Sequence, residues 1–85
     1  MDNLEIKTNM LLRLKRIEGQ IRGIQKMIEE DRECGDIAQQ LQAVRSAVHA
    51  TNKNMIQHYL EEGIQNADIS PKRLTEINRL FNYLE

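Results

Sequence analysis

Two kinds of group in this chain can do chemistry: a cluster of cations near its start and a single thiol. Lys7, Arg13, Lys15, Arg16, Arg22 and Lys26 stand within twenty residues against one acid, Glu18, a local charge of +5. Cys34 is the only cysteine among 85 residues. Arginine offers a planar fork of donors that fits phosphate, and lysine offers a point charge. Cations at this density suit a polyanion such as nucleic acid; the competing reading is a solvated helix face. A lone thiol can be oxidised, persulfidated, trapped by an electrophile or bound by a soft metal. The net charge is only −1, because residues 1–6 carry −2 and residues 27–85 carry −4. Positive charge is therefore concentrated rather than general.

The elements that must position these groups are helical. Leu, Ile, Gln, Glu, Arg and Lys dominate, with no tryptophan and one proline, a composition that favours helix. Leu14, Ile17, Ile21, Ile24 and Ile28 recur at intervals of 3, 4, 3 and 4, the heptad seam of a helix that packs along one face. The spacing predicts a first helix over about residues 5–31. The segment EDRECGD interrupts it, with Gly35 loosening the backbone and Asp36 suited to cap the next helix. A second helix over about 36–62 carries Ile37, Leu41, Val44, Val48 and Met55 on its apolar stripe, and Gly63 is the expected C-terminal cap. After the connector GIQNADIS, Ser70-Pro71 opens a third helix over about 71–84, with Leu74, Ile77, Leu80, Phe81 and Leu84 on one face.

The fold class is therefore all-α, a single domain over 1–85. Two antiparallel helices of roughly 40 Å each form a hairpin whose seam is half exposed. Pairing two hairpins closes a four-helix bundle, so a homodimer is the smallest expected unit, with the third helix covering a remaining apolar face. Asn52 falls at the edge of the second stripe, where a polar residue fixes register.

At 100° per residue, Lys15, Arg22 and Lys26 fall within about 40° of one another, opposite the seam, while Arg13 and Arg16 flank it. Gly19 and Gly23 lie between these groups. Each mid-helix glycine costs about 1 kcal/mol against alanine, so a close approach by another helix is expected there. The sequence has no helix-turn-helix, finger or basic-zipper pattern. Its three aromatics, Tyr59, Phe81 and Tyr83, are too few to stack single strands. Binding would then rest on the phosphate backbone and DNA shape.

Other classes are disfavoured. One cysteine makes no internal disulfide and no zinc finger, which suits a reducing cytoplasm. MDNLEIKTNM lacks the apolar core of a signal peptide, and no apolar run reaches the roughly 18 residues of a membrane span. No nucleophile, base and orienting group stand in a catalytic pattern, so an enzyme is not expected. The rival to a DNA-binding protein is a helical dimerisation or interaction module with no sensing activity of its own.

RLKRIEGQIRGI over residues 13–24, the cysteine after an acidic turn, QLQAVRSAV over 40–48, and then Met55 and HYLEE over 58–62 together resemble the copper-sensing operon repressor family. Nickel/cobalt, formaldehyde and persulfide sensors belong to the same family. The resemblance covers nearly the whole chain. It implies a three-helix protomer, a disc-shaped dimer of dimers, and a cytoplasmic repressor that releases double-stranded operator DNA when its effector acts. It assigns DNA affinity to Arg13, Lys15, Arg16 and Lys53, with Arg22 and Arg45 as further candidates.

The same resemblance places effector chemistry at Cys34. Copper-sensing members add a histidine 25 residues on and a cysteine four residues later, from the other protomer. Those positions are Tyr59 and Gly63 here. Phenol is a poor ligand for Cu(I), and glycine has no side chain. The N-terminal histidine of nickel/cobalt sensors, the second cysteine of persulfide sensors and the N-terminal proline of formaldehyde sensors are also missing. The cofactor stays open at this point. Cys34 senses alone by thiol modification, or binds Cu(I) or another transition metal with a non-standard partner such as His58, or is a structural remnant with regulation elsewhere. His58 lies one residue, about 100° of helix, from the family's ligand position, and His49 lies on the opposite flank. Tyr59 itself reads as core.

Overall fold

A computed structural model of the chain describes residues 4–83. It contains α1 (Leu4–Glu29), α2 (Cys34–Gln65) and α3 (Pro71–Phe81), with no strand among the described residues. The all-α class follows the heptad spacing and helix-forming composition. The chain divides into two compact units, Met1–Thr51 and Asn52–Glu85, and the division falls inside α2.

The first unit holds α1 and the N-terminal part of α2. Met10, Ile17 and Ile24 are buried at intervals of seven, and Ile37, Val44 and Ala47 of α2 are half-buried. The remaining seam positions face outward: Leu14 and Ile21 are each 45% exposed, Ile28 57%, Leu41 52% and Val48 48%. One protomer thus covers only part of the apolar surface that its heptads create. Gly19 and Gly23 have nothing within 4 Å of where a side chain would begin, so the close approach expected at these glycines is not made within one chain.

Four helix ends differ from the sequence reading: the end of α1, both ends of α2, and the end of α3, which stops at Phe81 rather than near residue 84. α1 stops at Glu29 because Asp31 turns into the left-handed region (φ 53°). The Asp31 N–H then donates to the Ile28 carbonyl (3.2 Å) and the Arg32 N–H to the Met27 carbonyl (3.0 Å), the paired bonds of a Schellman ending. α2 begins at Cys34, with the N–H groups of Asp36 and Ile37 donating to the Glu33 carbonyl (3.0 and 3.1 Å). Asp36 therefore lies in the first turn, where its charge complements the helix dipole, and is not the cap.

The second unit holds the C-terminal part of α2, with α3. Ile56 and Gly63 are buried, and Met55, Tyr59, Leu60, Ile77 and Leu80 are half-buried. Leu74 and Phe81 are exposed, and Leu84 lies outside the described residues. Gly63 is not the cap: α2 runs on to Gln65. It ends through Ala67 (φ 50°), with the Asp68 N–H on the Gly63 carbonyl (3.0 Å) and the Ala67 N–H on the Ile64 carbonyl (3.2 Å). A left-handed alanine crowds its Cβ against the backbone by about 1–2 kcal/mol, which glycine avoids. Ala67→Gly is therefore expected to stabilise the chain by up to about 1 kcal/mol, after the larger entropy loss of glycine. Urea unfolding checks this, and a lower midpoint would contradict it.

Ser70 caps α3 from an extended conformation, its hydroxyl accepting the Arg73 N–H (3.3 Å), and Pro71 opens the first turn. Asp68 accepts the Ser70 N–H (3.1 Å), and that bond holds its carboxyl below the ordinary aspartate value. Asn52 Nδ2 donates to the Tyr83 carbonyl (3.3 Å), so within this unit its amide ties α2 to the residues after α3.

Candidate nucleic-acid interface

Lys15, Arg22 and Lys26 lie opposite the buried residues of α1, which Arg13 and Arg16 flank. Lys15, Arg16, Arg22 and Lys26 are exposed. Lys15, Arg16 and Lys26 form no ion pair or hydrogen bond among the described residues. Arg22 lies 3.7 Å from Glu18 with both side chains largely in solvent, a contact worth little and easily exchanged for phosphate. Arg13 is half-buried. Its Nε donates to Asn9 Oδ1 (2.9 Å), which orients the guanidinium and leaves both terminal nitrogens free. Arg45 is exposed on the part of α2 in the same unit, and exposed Lys53 belongs to the second unit. Five of the six candidate DNA contacts thus share one compact unit.

Cys34 is exposed and free of any disulfide, in the first turn of α2, where reagents in solvent can reach it. His58 is half-buried. Its Nε2 stands 3.6 Å from Glu62 Oε2, beyond a hydrogen bond, and has no other partner.

An unexpected group lies between Tyr59 and Gly63. Arg73 of α3 is buried. Its Nη2 donates to the Tyr59 carbonyl, and its guanidinium carbon sits 3.9 Å from the centre of the Tyr59 ring. A Cβ at Gly63 would overlap the guanidinium. Sequence reading missed Arg73, because a cation on a short amphipathic helix reads as solvated.

A family model described as metal-sensitive transcriptional repressor matches residues 6–84. The chain belongs to this family. Its members are repressors rather than enzymes, in keeping with the absence of a catalytic pattern. Among its relatives, the copper-sensing transcriptional repressor RicR of Mycobacterium tuberculosis is 43% identical over 61 residues, 72% of this chain and 64% of RicR. The copper-sensing repressor CsoR of Bacillus subtilis is 52% identical over 56 residues, 66% of this chain and 52% of CsoR. The match to this chain thus spans about half to two thirds of these repressors' length. A solved variant of the formaldehyde-responsive regulator FrmR from Salmonella enterica serovar Typhimurium superposes with a TM-score of 0.85 at 27% identity, covering 100% of both chains. The three-helix architecture is therefore that of the metal-sensitive repressors.

The residues at positions 59 and 63 do not fit a family metal. Among the described residues no three His, Cys, Asp or Glu side chains converge on a cation site, so one protomer alone assembles none. Where the resemblance puts the second and third ligands stand a phenol and a glycine, and a guanidinium fills the space against both.

Proposed function

We propose that the chain is a single-domain transcriptional repressor, working in the cytoplasm, that binds double-stranded operator DNA as an assembly of at least two copies, in the family manner a dimer of dimers. Arg13, Lys15 and Arg16 carry the affinity through phosphate contacts, with Arg22, Arg45 and Lys53 adding to it. An effector event at Cys34 lowers that affinity. The observation that carries this reading is the set of exposed cations, unpaired or weakly paired, with half-buried Arg13 among them, on α1 and α2 of a chain in a repressor family. No helix among the described residues is long and apolar enough to cross a membrane.

Self-association follows from the outward half of the seam. Leu14, Ile21 and Ile28 repeat at intervals of seven, and so do Leu41 and Val48. Such stripes are what a second copy buries in a four-helix bundle.

The effector role of Cys34 is tested by a DNA-binding readout. Peroxide, polysulfide and an aldehyde are applied in turn, with Cu(I), Ni(II) and Zn(II) in parallel. A thiol-directed reagent is expected to release DNA from the wild type and to leave Cys34→Ala bound. Equal release from both proteins would remove Cys34 from the mechanism. Release by a metal that depends on both Cys34 and His58 would favour coordination over thiol modification.

A further inference from the structure

Arg73 is the one charged side chain buried among the described residues. Arginine is rarely buried without a partner, yet no carboxylate forms an ion pair with it among these residues. Its contacts on α2 are the Tyr59 carbonyl, the face of the Tyr59 ring and the hollow at Gly63, and the Asp68 carboxylate in the connecting loop acts on it through space. Its Nε has no hydrogen-bond partner. The C-terminal segment of α2 is nevertheless a favourable place for a positive charge. An aromatic face is electron-rich and attracts a guanidinium lying over it. The end of a helix carries partial negative charge, and the last turn of α2 supplies no basic residue of its own.

We propose that the chain supplies its own cation to this segment: Arg73 seats its guanidinium between Tyr59 and Gly63, latches α3 to α2 there, and closes these two positions to metal ions. The inference rests on the repressor reading for its regulatory meaning, though not for its geometry. A metal ion arriving at Tyr59 would meet a like charge already in place. It would find the backbone carbonyl engaged, and no side chain at position 63. Gly63 is then a specificity-determining residue, since its missing Cβ is what admits the guanidinium. A glycine inside a helix weakens it, and the seat for Arg73 offsets that loss. Metal binding is thereby blocked at positions 59 and 63, while His58, one residue before Tyr59, keeps its own unpartnered Nε2.

Thermal unfolding of the full chain tests the latch as a double-mutant cycle. In an ordinary helix, Gly→Ala raises Tm. Here Gly63→Ala is expected to lower Tm by several degrees in the wild-type background, because it expels Arg73. In the Arg73→Ala background the same substitution is expected to raise Tm, because the hollow is empty and only helix propensity remains. A rise in both backgrounds, or an equal fall in both, would overturn the latch. Cu(I), Ni(II) and Zn(II), each added alone to the full chain, test the closure. Binding of each is expected to be unchanged by Tyr59→Phe, and a metal whose affinity falls tenfold or more in that variant would overturn it. None of these readouts uses DNA. A wild type that fails to bind DNA would defeat the repressor reading and leave the latch standing.

Discussion

Replacing Arg13 and Arg16 together by alanine weakens binding to every duplex, operator or random, and flattens the dependence on salt. Both side chains carry donors with no acidic partner, so their charge is available to phosphate. Each phosphate contact contributes about 0.9 to the slope of log K against log salt. Two contacts per protomer, doubled in a dimer, therefore remove roughly 3 to 4 from that slope. Because phosphate contacts position a protein without reading bases, the ratio of operator to random affinity changes little. Arg79→Ala is the control. That arginine lies on α3, 3.7 Å from Glu76, and its removal leaves DNA affinity within about twofold on the reading that α1 and α2 supply the contacts. Fluorescence anisotropy over a salt series checks both. A double variant with wild-type slope would take the cations of α1 out of the interface.

Ile21→Glu breaks the assembly. Ile21 lies between Leu14 and Ile28 in the outward heptad stripe of α1, nearly half exposed in a single protomer. In a symmetric interface each substitution is counted twice, and an unpaired carboxylate in a dry interface costs several kcal/mol. That exceeds what a small helical dimer can lose. Light scattering is expected to give a multiple of 10.0 kDa for the wild type and the monomer mass, or an unfolded chain, for the variant. DNA binding falls with it, because half or more of the phosphate contacts leave together. A wild type that is monomeric at micromolar concentration, or a variant of unchanged mass, would contradict the use of this stripe.

The helices were legible because their signals are local and redundant. The heptad spacing from Leu14 to Ile28 marks α1, and Ser70-Pro71 marks the start of α3 to the residue. Helix ends were less legible. Sequence reasoning looks to glycine for a left-handed ending, but Asp31 and Ala67 take that conformation here. Gly63, the expected cap, is instead held inside α2 to make room for a side chain from α3. The basic face was readable from charge and angular position alone, since solvated cations need no tertiary partner to be placed. Arg73 was not. Its burial depends on a hollow, a ring and a carbonyl contributed by another helix, and no periodicity in α3 encodes them. The amphipathic face predicted for α3 likewise left Leu74 and Phe81 exposed, since apolar spacing says which residues could be covered and not by what.

Recognition of a particular duplex is what separates a repressor from a helical interaction module. Competition between a fragment from the protein's own promoter region and random duplex of equal length, at a fixed salt concentration near 150 mM, tests that most directly. For a repressor, the promoter fragment is expected to displace labelled DNA at concentrations at least about a hundredfold lower than random duplex, with both affinities falling steeply as salt rises. Equal competition by the two duplexes would contradict the repressor reading and favour a helical interaction module that binds no operator.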